Sequence, residues 1–290
     1  MTSNRMNVAI IGTGNIGCDL MLKVARSRYL NCSLITGRNL NSPGSRFALQ
    51  NKMNVSDQSI KAIEGNPGIC DIVIDATSAA IHKKNAEILS KLGKFAIDLT
   101  PAKVGMFCVP VINIDEAVHA ENVNMVTCGG QTSIPVAYAI SQIHPETKHI
   151  EMAATIASKS AGIGTRDNID EFTQTTKDAL SHFTGVKHAK AIIALNPAEP
   201  PINMRTTIYA LIGSPNMDKI RESVFLMAEK VKEYVPGYRL IVEPTYENDR
   251  VTTTVEVTGL GDYLPVYAGN LDITTCAAVK VAEAYANKQR

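Results

Sequence analysis

One cysteine, Cys128, lies between an apolar run and a pair of glycines in the segment MVTCGGQTSIP, residues 125–135. Ser133 is a favoured N-cap type and Pro135 suits a first helical turn, so the sequence predicts a helix that begins just after the cysteine. A thiol near a helix N-terminus has a lowered pKa, and only the thiolate attacks. The amides of the Gly-Gly turn suit a developing oxyanion. Cys128 is therefore a predicted nucleophile, with a buried structural thiol as the alternative.

A second chemical signal is the glycine pattern GTGNIG near the start of the chain. It follows the apolar run MNVAII and precedes a segment in which Ile16, Leu20 and Val24 share one helical face. In this strand–turn–helix context the glycines let the backbone approach a pyrophosphate, and the helix N-terminus favours its charge. A plain glycine turn is the alternative. The predicted dinucleotide-binding residues are Gly12, Thr13, Gly14, Asn15, Ile16 and Gly17.

The choice between NAD and NADP depends on the residues that follow the second strand. An NAD-preferring unit places Asp or Glu there, about 20 residues after the glycines. This chain has ITGRN, with Arg38 and no acid. An arginine at that place pairs with a 2′-phosphate, which favours NADP, whereas a solvated surface arginine leaves NAD as the cofactor. The sequence leaves both open.

Composition sets the class of protein. With 290 residues the chain is long enough for two domains. The net charge of +1 gives no electrostatic reason to expect nucleic acid or an anionic membrane as a partner. No apolar run is long enough to span a bilayer, and the N-terminus has no signal-peptide layout. Six scattered cysteines predict free thiols in a reducing cytoplasm, with neither a disulfide framework nor a metal site.

The order of elements predicts two kinds of fold. Strand-like runs alternate with helical segments over roughly the first 130 residues, which indicates a parallel, doubly wound α/β sheet. After about residue 148 apolar residues alternate with a period of two, as in HIEMAATIAS and VTTTVEVTG. That period predicts an antiparallel sheet with one wetter face. Two amphipathic helices interleave with these strands, so the second half is predicted to be α+β, and the chain ends in a helix.

Seven segments, taken together, carry a family resemblance. They are VAIIGTGNIGCDLM, DATSA, IDLTPA, NMVTCGGQ, SKSAGIGTRDNIDEFT, NPAEPP and LPVYAGNLDI, in chain order and spread over nearly the whole sequence. They resemble the acylating acetaldehyde dehydrogenases, which work beside 4-hydroxy-2-oxovalerate aldolase in aromatic meta-cleavage pathways. The resemblance implies a Rossmann-type dinucleotide-binding domain, residues 1–130, completed by the C-terminal helix, residues 271–290. It also implies an α+β catalytic and dimerisation domain, residues 131–270.

The resemblance also implies roles for individual residues. Cys128 matches the nucleophile that forms an acyl-thioester. Asn270 matches a residue at the nicotinamide end, where the sequence by itself suggests only a helix cap. A second glycine-punctuated loop matches a cofactor-contacting segment, although its spacing fits no phosphate loop. Its residues are Ser160, Ala161, Gly162, Ile163, Gly164, Thr165, Arg166, Asp167 and Asn168.

The chain departs from the family pattern at several places. Thr206 stands where the family has an aspartate proposed to help activate the thiol. A threonine is no base at neutral pH, so we expect the helix N-terminus and water to suffice or the enzyme to be slower. The segment between RLIVEP and GDYLP is shorter than usual, which bears on an aldolase-facing surface. Ile163, where proline is usual, and Ile134 are expected to shape the acyl pocket.

The expected function is the CoA-dependent oxidation of acetaldehyde, or another short aldehyde, through a thioester on Cys128. A homodimer and an aldolase partner are expected with it. One alternative is a phosphorylating or semialdehyde dehydrogenase, for which Arg166 and Arg205 are the candidate anion clamps. Another is a cofactor-binding subunit that has lost catalysis and holds an aldolase. The acyl chain, the physiological direction and the general base are left open by the sequence.

Overall fold

The computed structural model describes residues 5–162, 165–166 and 168–290. Ile163, Gly164 and Asp167, three of the predicted loop residues, lie outside the described residues. Among the described residues, no helix has the length and apolar character needed to cross a membrane. The chain divides into two compact units. The first comprises Met1–Met125, Asp262–Leu264 and Thr275–Arg290, and the second comprises Val126–Gly261 and Pro265–Thr274.

The first unit is built on a sheet in which every paired strand is parallel, in the order β3-β2-β1-β4-β5-β7-β6. Its central strands are apolar and buried, as expected for a sheet with helices on both faces. The chain order reverses between β1 and β4, which is where such sheets bind ligands at their carboxyl ends. This confirms the predicted doubly wound α/β fold. The strands are β1 Met6–Ile11, β2 Leu30–Thr36, β3 Val55–Ser56, β4 Ile72–Asp75, β5 Phe95–Asp98, β6 Met106–Phe107 and β7 Asn122–Asn124.

Five helices connect the strands of the first unit within its described residues. The first begins at Asn15, directly after Gly14 of the glycine pattern, and the fourth follows β4 after a short turn. Short connections of this kind place helix N-termini at the carboxyl ends of the parallel strands. The helices are α1 Asn15–Arg26, α2 Pro43–Gln50, α3 Lys61–Gly65, α4 Ala79–Lys91 and α5 Pro110–Ala117.

The second unit is built on a mixed five-stranded sheet in the order β11-β12-β10-β8-β9. Three of its pairings are antiparallel, as predicted, but β8 and β9 run parallel because a helix crosses between them. Burial alternates along β8, so the predicted period of two is confirmed there. The strands are β8 His149–Ala157, β9 His188–Asn196, β10 Met204–Leu211, β11 Tyr238–Glu247 and β12 Arg250–Val257.

Helices pack on one face of this second sheet and leave the other face partly exposed. Met152, Ile208 and Val255 point to the covered face and are fully buried. On the opposite face Thr207 lies across from Thr254, and both are only half-buried. The packed helices are α6 Cys128–Ile143, α7 Ile169–Thr184 and α8 Met217–Lys232, and the last helix, α9, is Gly269–Lys288.

A buried ion network ties the segment 262–264 to the first unit. The Lys23 ammonium lies 2.6 Å from Asp19 Oδ2 and 3.1 Å from Asp262 Oδ2, and its side chain is 4% exposed. Thr275 Oγ1 donates to Asp19 Oδ2 at 2.6 Å. Arg26 forms a bidentate ion pair with Asp262, in which Nη1 donates to Oδ1 and Nη2 donates to Oδ2. Burial opposes ionisation of Asp262, but the hydrogen bonds from Arg26 and Lys23 outweigh it and lower its pKa.

We expect Lys23→Met to destabilise the protein, because it leaves the buried Asp19 carboxylate without its cation. Removing one member of a buried pair costs about 3–5 kcal/mol of the free energy of unfolding. Urea unfolding followed by circular dichroism measures the loss. The matched control is Lys232→Met, which breaks an exposed pair with Glu229 and should cost less than about 1 kcal/mol. Equal effects of the two substitutions would show that the Lys23 network contributes no more than a surface pair.

Candidate active site

Cys128 is presented by a strained turn at the start of α6. Val126 has φ of 59°, a left-handed conformation that is a clear outlier for a β-branched residue. Thr127 is the N-cap, and its Oγ1 accepts from Gly130 N at 3.0 Å. Cys128 is therefore the first residue of the helix. The helix thus begins close to the predicted place, but the assignment of Ser133 as its N-cap was wrong, because the Thr127 hydroxyl caps the helix six residues earlier.

The helix tolerates Ser133 and Pro135 in its interior. Ser133 Oγ donates to the Gly129 carbonyl at 2.7 Å, a bond back to the residue four positions earlier. Pro135 lies inside the helix, where it has no amide hydrogen to donate to the carbonyl of Gln131. Ser133 and Pro135 therefore belong to the helix, as predicted, but they lie in its interior and not at its start.

Close packing fixes the turn around the thiol. A Cβ at Gly130 would lie 2.5 Å from Cγ1 of Val126, and one at Gly129 would lie 2.6 Å from Cε of Met152. Thr127 Oγ1 also hydrogen-bonds Thr176 Oγ1 of α7 at 2.7 Å. A side chain at either position would collide with neighbouring atoms, so glycine is required there by lack of space and not by an unusual backbone conformation. The turn is held by Val126 on one side and by the sheet and α7 on the other.

Burial dominates the ionisation of the thiol. It raises the pKa of Cys128 to about 12, against the opposing effect of the amides of Gly129 and Cys128 itself. The Cys128 side chain is half-buried by its exposed area, but the atoms packed around the sulfur make desolvation the larger effect, so the expectation of a lowered pKa is wrong. A helix N-terminus stabilises a thiolate by only a fraction of what removal from water costs it. Cys128 is one of several thiols with a raised pKa, and desolvation likewise raises the pKa of the half-buried Cys32 and of the buried Cys70 to about 11.

The predicted dinucleotide turn is a tight glycine turn at the end of β1. Gly12 has φ of 122°, and a Cβ there would lie 2.7 Å from the Ala76 carbonyl oxygen. A Cβ at Gly17 would lie 1.8 Å from the carbonyl oxygen of Gly12. Gly14 and Asn15 are exposed at the start of α1, so backbone amides there are open to solvent. The neighbouring residues, Thr13 and Ile16, are half-buried.

Arg38 lies close to this turn in the first unit. It follows β2 and Gly37, and a Cβ at Gly37 would lie 2.6 Å from Oγ1 of Thr13. The Arg38 side chain is exposed and makes no hydrogen bond or ion pair to any other residue the structure describes. The guanidinium is therefore available to a ligand beside the glycine turn.

Within the described part of the second predicted loop, side chains bond to backbone carbonyls. Ser160 is buried and its Oγ donates to the Ala157 carbonyl at 2.9 Å. Arg166 Nε donates to the Ala161 carbonyl at 3.1 Å, and its Nη2 donates to Ser158 O at 2.9 Å. The guanidinium of Arg166 thus connects helical residue 166 to the carbonyls of Ser158 and Ala161. The remaining described members of the loop, Gly162, Thr165 and Asn168, lie between these contacts and α7.

Asn270 is joined to this loop. It is 1% exposed, and its Nδ2 donates to the Ser160 carbonyl at 3.4 Å. Its Oδ1 has no partner among the described residues. Asn270 is the second residue of α9 rather than its cap, so the capping interpretation was wrong. A buried amide oxygen without a partner is costly, and it suits an N–H donor from a ligand.

Thr206 lies in the middle of β10 on the face covered by helices. It pairs across the sheet with Ala154 of β8 and Val255 of β12. Its side chain is fully buried, and its hydroxyl has no partner within the described part of the chain. Met204, two residues earlier on the same face, accepts a contact from Thr132 Oγ1 at 3.5 Å. On the face of the sheet that packs against α6, position 206 therefore carries a neutral hydroxyl.

The two arginines considered as anion clamps are already engaged. Arg166 binds loop carbonyls, and Arg205 Nε donates to Glu256 Oε2 at 2.9 Å. Arg205 lies on the exposed face of the sheet, because it is the neighbour of the inward-facing Thr206. Ile134, one of the two residues expected to shape the acyl pocket, is fully buried in α6.

A polar cluster that the sequence did not predict lies at the ends of β4 and β5. Asp75 and Asp98 are the last residues of these strands, both fully buried, and His82 of α4 is buried with them. The signal was present as an aspartate after each apolar run, in DIVIDAT and KFAIDLTP. The apolar pattern predicted only that the two aspartates end their strands and indicated no function for them.

The chain combines a parallel sheet that carries a glycine turn with an α+β unit that carries a cysteine at the first residue of a helix, and each part matches a family model. Residues 7–120 match the family model described as semialdehyde dehydrogenase, NAD binding domain. Residues 128–265 match the model described as prokaryotic acetaldehyde dehydrogenase, dimerisation. The fold is similar to that of aspartate semialdehyde dehydrogenase II from Vibrio cholerae, with a TM-score of 0.67 over 97% of this chain and 98% of that one, at 13% identity.

Relatives named acetaldehyde dehydrogenase narrow the assignment. The chain is 53% identical to the one from Pectobacterium atrosepticum over 283 residues, which is 97% of this chain and 96% of the relative. It is 52% identical to the one from Carboxydothermus hydrogenoformans, over 99% of this chain and 95% of the relative. The chain belongs to the acetaldehyde dehydrogenase family.

We expect alkylation of Cys128 by iodoacetamide to accelerate by about tenfold per pH unit between pH 7 and pH 10, because only the thiolate reacts and its pKa lies above this range. Mass spectrometry of the peptide that contains Cys128, with protein to which no cofactor has been added, measures the rate. Free glutathione in the same tubes is the control and should level off near its own pKa. A plateau for Cys128 below pH 8 would show that the helix N-terminus outweighs burial.

We expect Gly130→Ala to destabilise the protein by about 1–3 kcal/mol, the usual cost of overpacking, because the new methyl group meets Cγ1 of Val126. Val126→Ala removes that Cγ1 atom. The double variant Val126→Ala/Gly130→Ala should therefore be more stable than the sum of the two single losses predicts. Urea unfolding of the four proteins measures the coupling. Additive losses would mean that the Val126 contact does not fix the turn.

Proposed function

We propose that this chain is a CoA-acylating acetaldehyde dehydrogenase, which converts acetaldehyde, NAD(P)⁺ and CoA to acetyl-CoA and NAD(P)H. The observation that carries the proposal is Cys128 at the first residue of α6, held by the Val126 turn and the Thr127 cap. The family membership and the relatives named acetaldehyde dehydrogenase support the substrate. Aromatic hydrocarbon breakdown, which generates short aldehydes, is the proposed setting.

In the proposed reaction the Cys128 thiolate adds to the aldehyde carbonyl and forms a hemithioacetal. Loss of hydride from the former carbonyl carbon to NAD(P)⁺, with loss of the hydroxyl proton to solvent, leaves a thioester on Cys128. The CoA thiolate then attacks the thioester carbon, which releases acetyl-CoA and restores the Cys128 thiolate. The amides of Cys128 and Gly129, which act on the sulfur, are proposed to stabilise the oxyanion of each tetrahedral adduct, whereas the Gly130 amide is bonded to Thr127 Oγ1.

The proposed activation of the thiol relies on no protein base at position 206. Thr206 is neutral, and its fully buried hydroxyl cannot accept the thiol proton at neutral pH. The amides at the start of α6 favour the thiolate, and burial opposes it. We therefore propose that hydroxide or water removes the proton, and that the rate rises with pH in the neutral range.

The proposed cofactor site uses the first unit's glycine turn for the pyrophosphate. Gly12, Gly14 and Gly17 allow the close approach, and the amides of residues 13–16 meet the charge. The loop 160–168 and Asn270 are proposed to contact the nicotinamide portion, where Asn270 Oδ1 would accept from the carboxamide. The exposed Arg38 supports acceptance of NADP as well as NAD.

Two other functions are weaker proposals. A phosphorylating dehydrogenase needs a phosphate clamp, and the described contacts of Arg166 and Arg205 use both guanidiniums elsewhere. A subunit that has lost catalysis is suggested only by the threonine at position 206. The intact turn at Cys128 favours activity over this alternative.

The proposed partners are a second copy of the chain and an aldolase. The match of residues 128–265 to a dimerisation model supports a homodimer, and the half-exposed face of the second sheet is a surface that such a contact would cover. The 4-hydroxy-2-oxovalerate aldolase is proposed from the family resemblance. Co-elution of the two purified proteins tests it, and separate elution at micromolar concentration would remove it.

We expect purified protein to reduce NAD or NADP with acetaldehyde only when CoA is present, because thiolysis of the enzyme thioester needs a thiol acceptor. Absorbance at the nicotinamide band measures the rate with CoA, with phosphate, and with each cofactor. Cys128→Ser should abolish turnover but keep cofactor binding, whereas Cys276→Ser, a change at a buried helical thiol, is the matched control.

Each other outcome of this assay has one interpretation. Phosphate-dependent turnover would replace the proposal with the phosphorylating alternative. Cofactor binding without turnover under any condition would support the inactive subunit. Full activity of Cys128→Ser would leave the proposed mechanism without its nucleophile. A ratio of kcat/KM strongly in favour of NAD would remove the role proposed for Arg38.

A further inference from the structure

His82 is enclosed by polar groups from three strands of the first sheet. Its Nδ1 lies 2.9 Å from Asp75 Oδ2, at the end of β4, and its Nε2 lies 3.5 Å from Asp98 Oδ2, at the end of β5. Asn122 of β7 faces the same Nε2 at 3.0 Å. The histidine and both aspartates are fully buried. One imidazole therefore lies between two carboxylates in a space that excludes water.

Each carboxylate divides its two oxygens in the same way. Asp75 Oδ1 accepts from the Thr77 amide at 3.0 Å and from its hydroxyl at 2.5 Å, while Oδ2 faces His82. Asp98 Oδ1 accepts from the Thr100 amide at 2.7 Å, while Oδ2 faces His82 and the amide of Asn124. One oxygen of each pair thus closes the turn after its strand. The other oxygen connects that turn to the imidazole.

The turn after β4 in turn touches the glycine turn. Ala76, between the two bonded residues Asp75 and Thr77, donates its amide to Ile11 O at 2.8 Å. Its carbonyl oxygen is the atom that a Cβ at Gly12 would meet at 2.7 Å. The position of Ala76 therefore limits the position of Gly12. A single residue, Ala76, therefore connects the His82 network to Gly12 of the predicted dinucleotide turn.

Asn122 also faces the outer nitrogen of the ring. Its Nδ2 lies 3.0 Å from His82 Nε2, and its Oδ1 is buried without a partner among the described residues. The orientation of an amide is assigned from its hydrogen-bond network, so either end of this amide can face Nε2, and Asn122 accommodates a ring nitrogen with or without a proton. The two carboxylates, one on each side of the ring, are the groups that favour a proton on both nitrogens.

We propose that His82 is a protonated positioning residue that holds the turns after β4 and β5 together and thereby sets the affinity of the glycine turn for the dinucleotide. The inference rests on the proposed function only for the identity of that ligand. His82 touches no reacting atom. It acts through Asp75, Ala76 and Gly12 on one side and through Asp98 and Thr100 on the other.

Electrostatics agree with this arrangement. Burial alone would lower the pKa of His82, but the hydrogen bond to Asp75 and the charge of Asp98 outweigh it and raise the pKa above its ordinary value. Burial raises the pKa of Asp98 to about 6, with His82 opposing. The remaining facing groups, Asn85, Asn122 and Asn124, carry no charge. The charged form of His82 therefore persists as pH rises above 6.5 and is lost only as pH passes its raised pKa.

Binding of NADH, followed by its fluorescence without aldehyde or CoA, tests the proposal. We expect His82→Gln to bind NADH about tenfold more weakly than the wild type at pH 6.5, which is about 1.4 kcal/mol. The difference should shrink as pH passes through the titration of His82, because the wild type then loses the same charge. His119→Gln, at an exposed histidine of the same unit, is the matched control and should keep the wild-type curve.

A measurement on the unmodified protein covers the case in which His82→Gln does not fold. Imidazole NMR with labelled histidine, assigned by difference against that variant or by proximity to Asp75, reports the charge of His82 directly. An imidazolium signal at pH 7 supports the proposal, and a neutral ring at pH 6.5 overturns it. Equal NADH affinity of wild type and folded His82→Gln would also overturn it.

The outcomes separate this inference from the proposed function. NADH binding and the NMR signal need no turnover, so a chain without CoA-dependent activity can still show the His82 effect. Conversely, full CoA-dependent activity with no change in NADH affinity in His82→Gln would leave the proposed function intact and remove the inference.

Discussion

The turn from Val126 to Gly130 is the constraint on which the proposed chemistry of this protein depends. A β-branched residue in a left-handed conformation costs about 1–3 kcal/mol, and the fold must supply that energy from its surroundings. Here the Thr127 cap, the contact of Val126 with Gly130 and the bond to Thr176 hold the turn in place. The result is a half-buried thiol at the first residue of a helix, fixed in direction. Every proposed step of the reaction uses that placement.

Burial and the helix N-terminus act on this thiol in opposite directions. Burial is the larger effect, so the thiol is held mostly protonated. A neutral thiol is also protected from oxidation and stray alkylation, since only the thiolate reacts readily. Ionisation is then coupled to whatever enters the site with a proton acceptor or a positive charge. This makes the environment of Cys128, rather than its helix position by itself, the source of its reactivity.

The two sheets serve different purposes. The first places strand ends, helix N-termini and buried carboxylates at one edge, which is the edge where parallel α/β sheets bind nucleotides. Its polar cluster around His82 is fully enclosed, and such clusters give rigidity only when each member is satisfied. The second sheet supports α6 on its covered face and leaves a half-exposed face with paired threonines. The ion network of Lys23 fastens the returning segment 262–264 to α1, so this segment of the first unit is held by charge as well as by packing.

Much of the fold followed from the sequence alone. Apolar runs before GTGNIG, in DIVIDAT and in KFAIDLTP specified buried parallel strands, and the alternation in HIEMAATIAS specified a strand with one covered face. These patterns are local, and burial on one or two faces produces them directly. Cys128 and the glycine turn were singled out from spacing, and their roles stay predictions. The parallel pairing of β8 and β9 was missed, since periodicity contains no information on strand direction.

Tertiary structure decided what local signals could not. The helix at Cys128 begins at a Thr127 cap and contains Ser133 and Pro135, because packing around Val126 overrides the usual preferences of those residues. The pKa of the thiol is raised, because desolvation depends on every neighbour in space and not on the adjacent helix turn. Asn270 acquires an unpartnered oxygen and His82 acquires two carboxylates only when distant segments meet. The sequence by itself determined which elements form and which residues have reactive types, whereas the solvent exclusion and pairing that control their chemistry exist only in the folded chain.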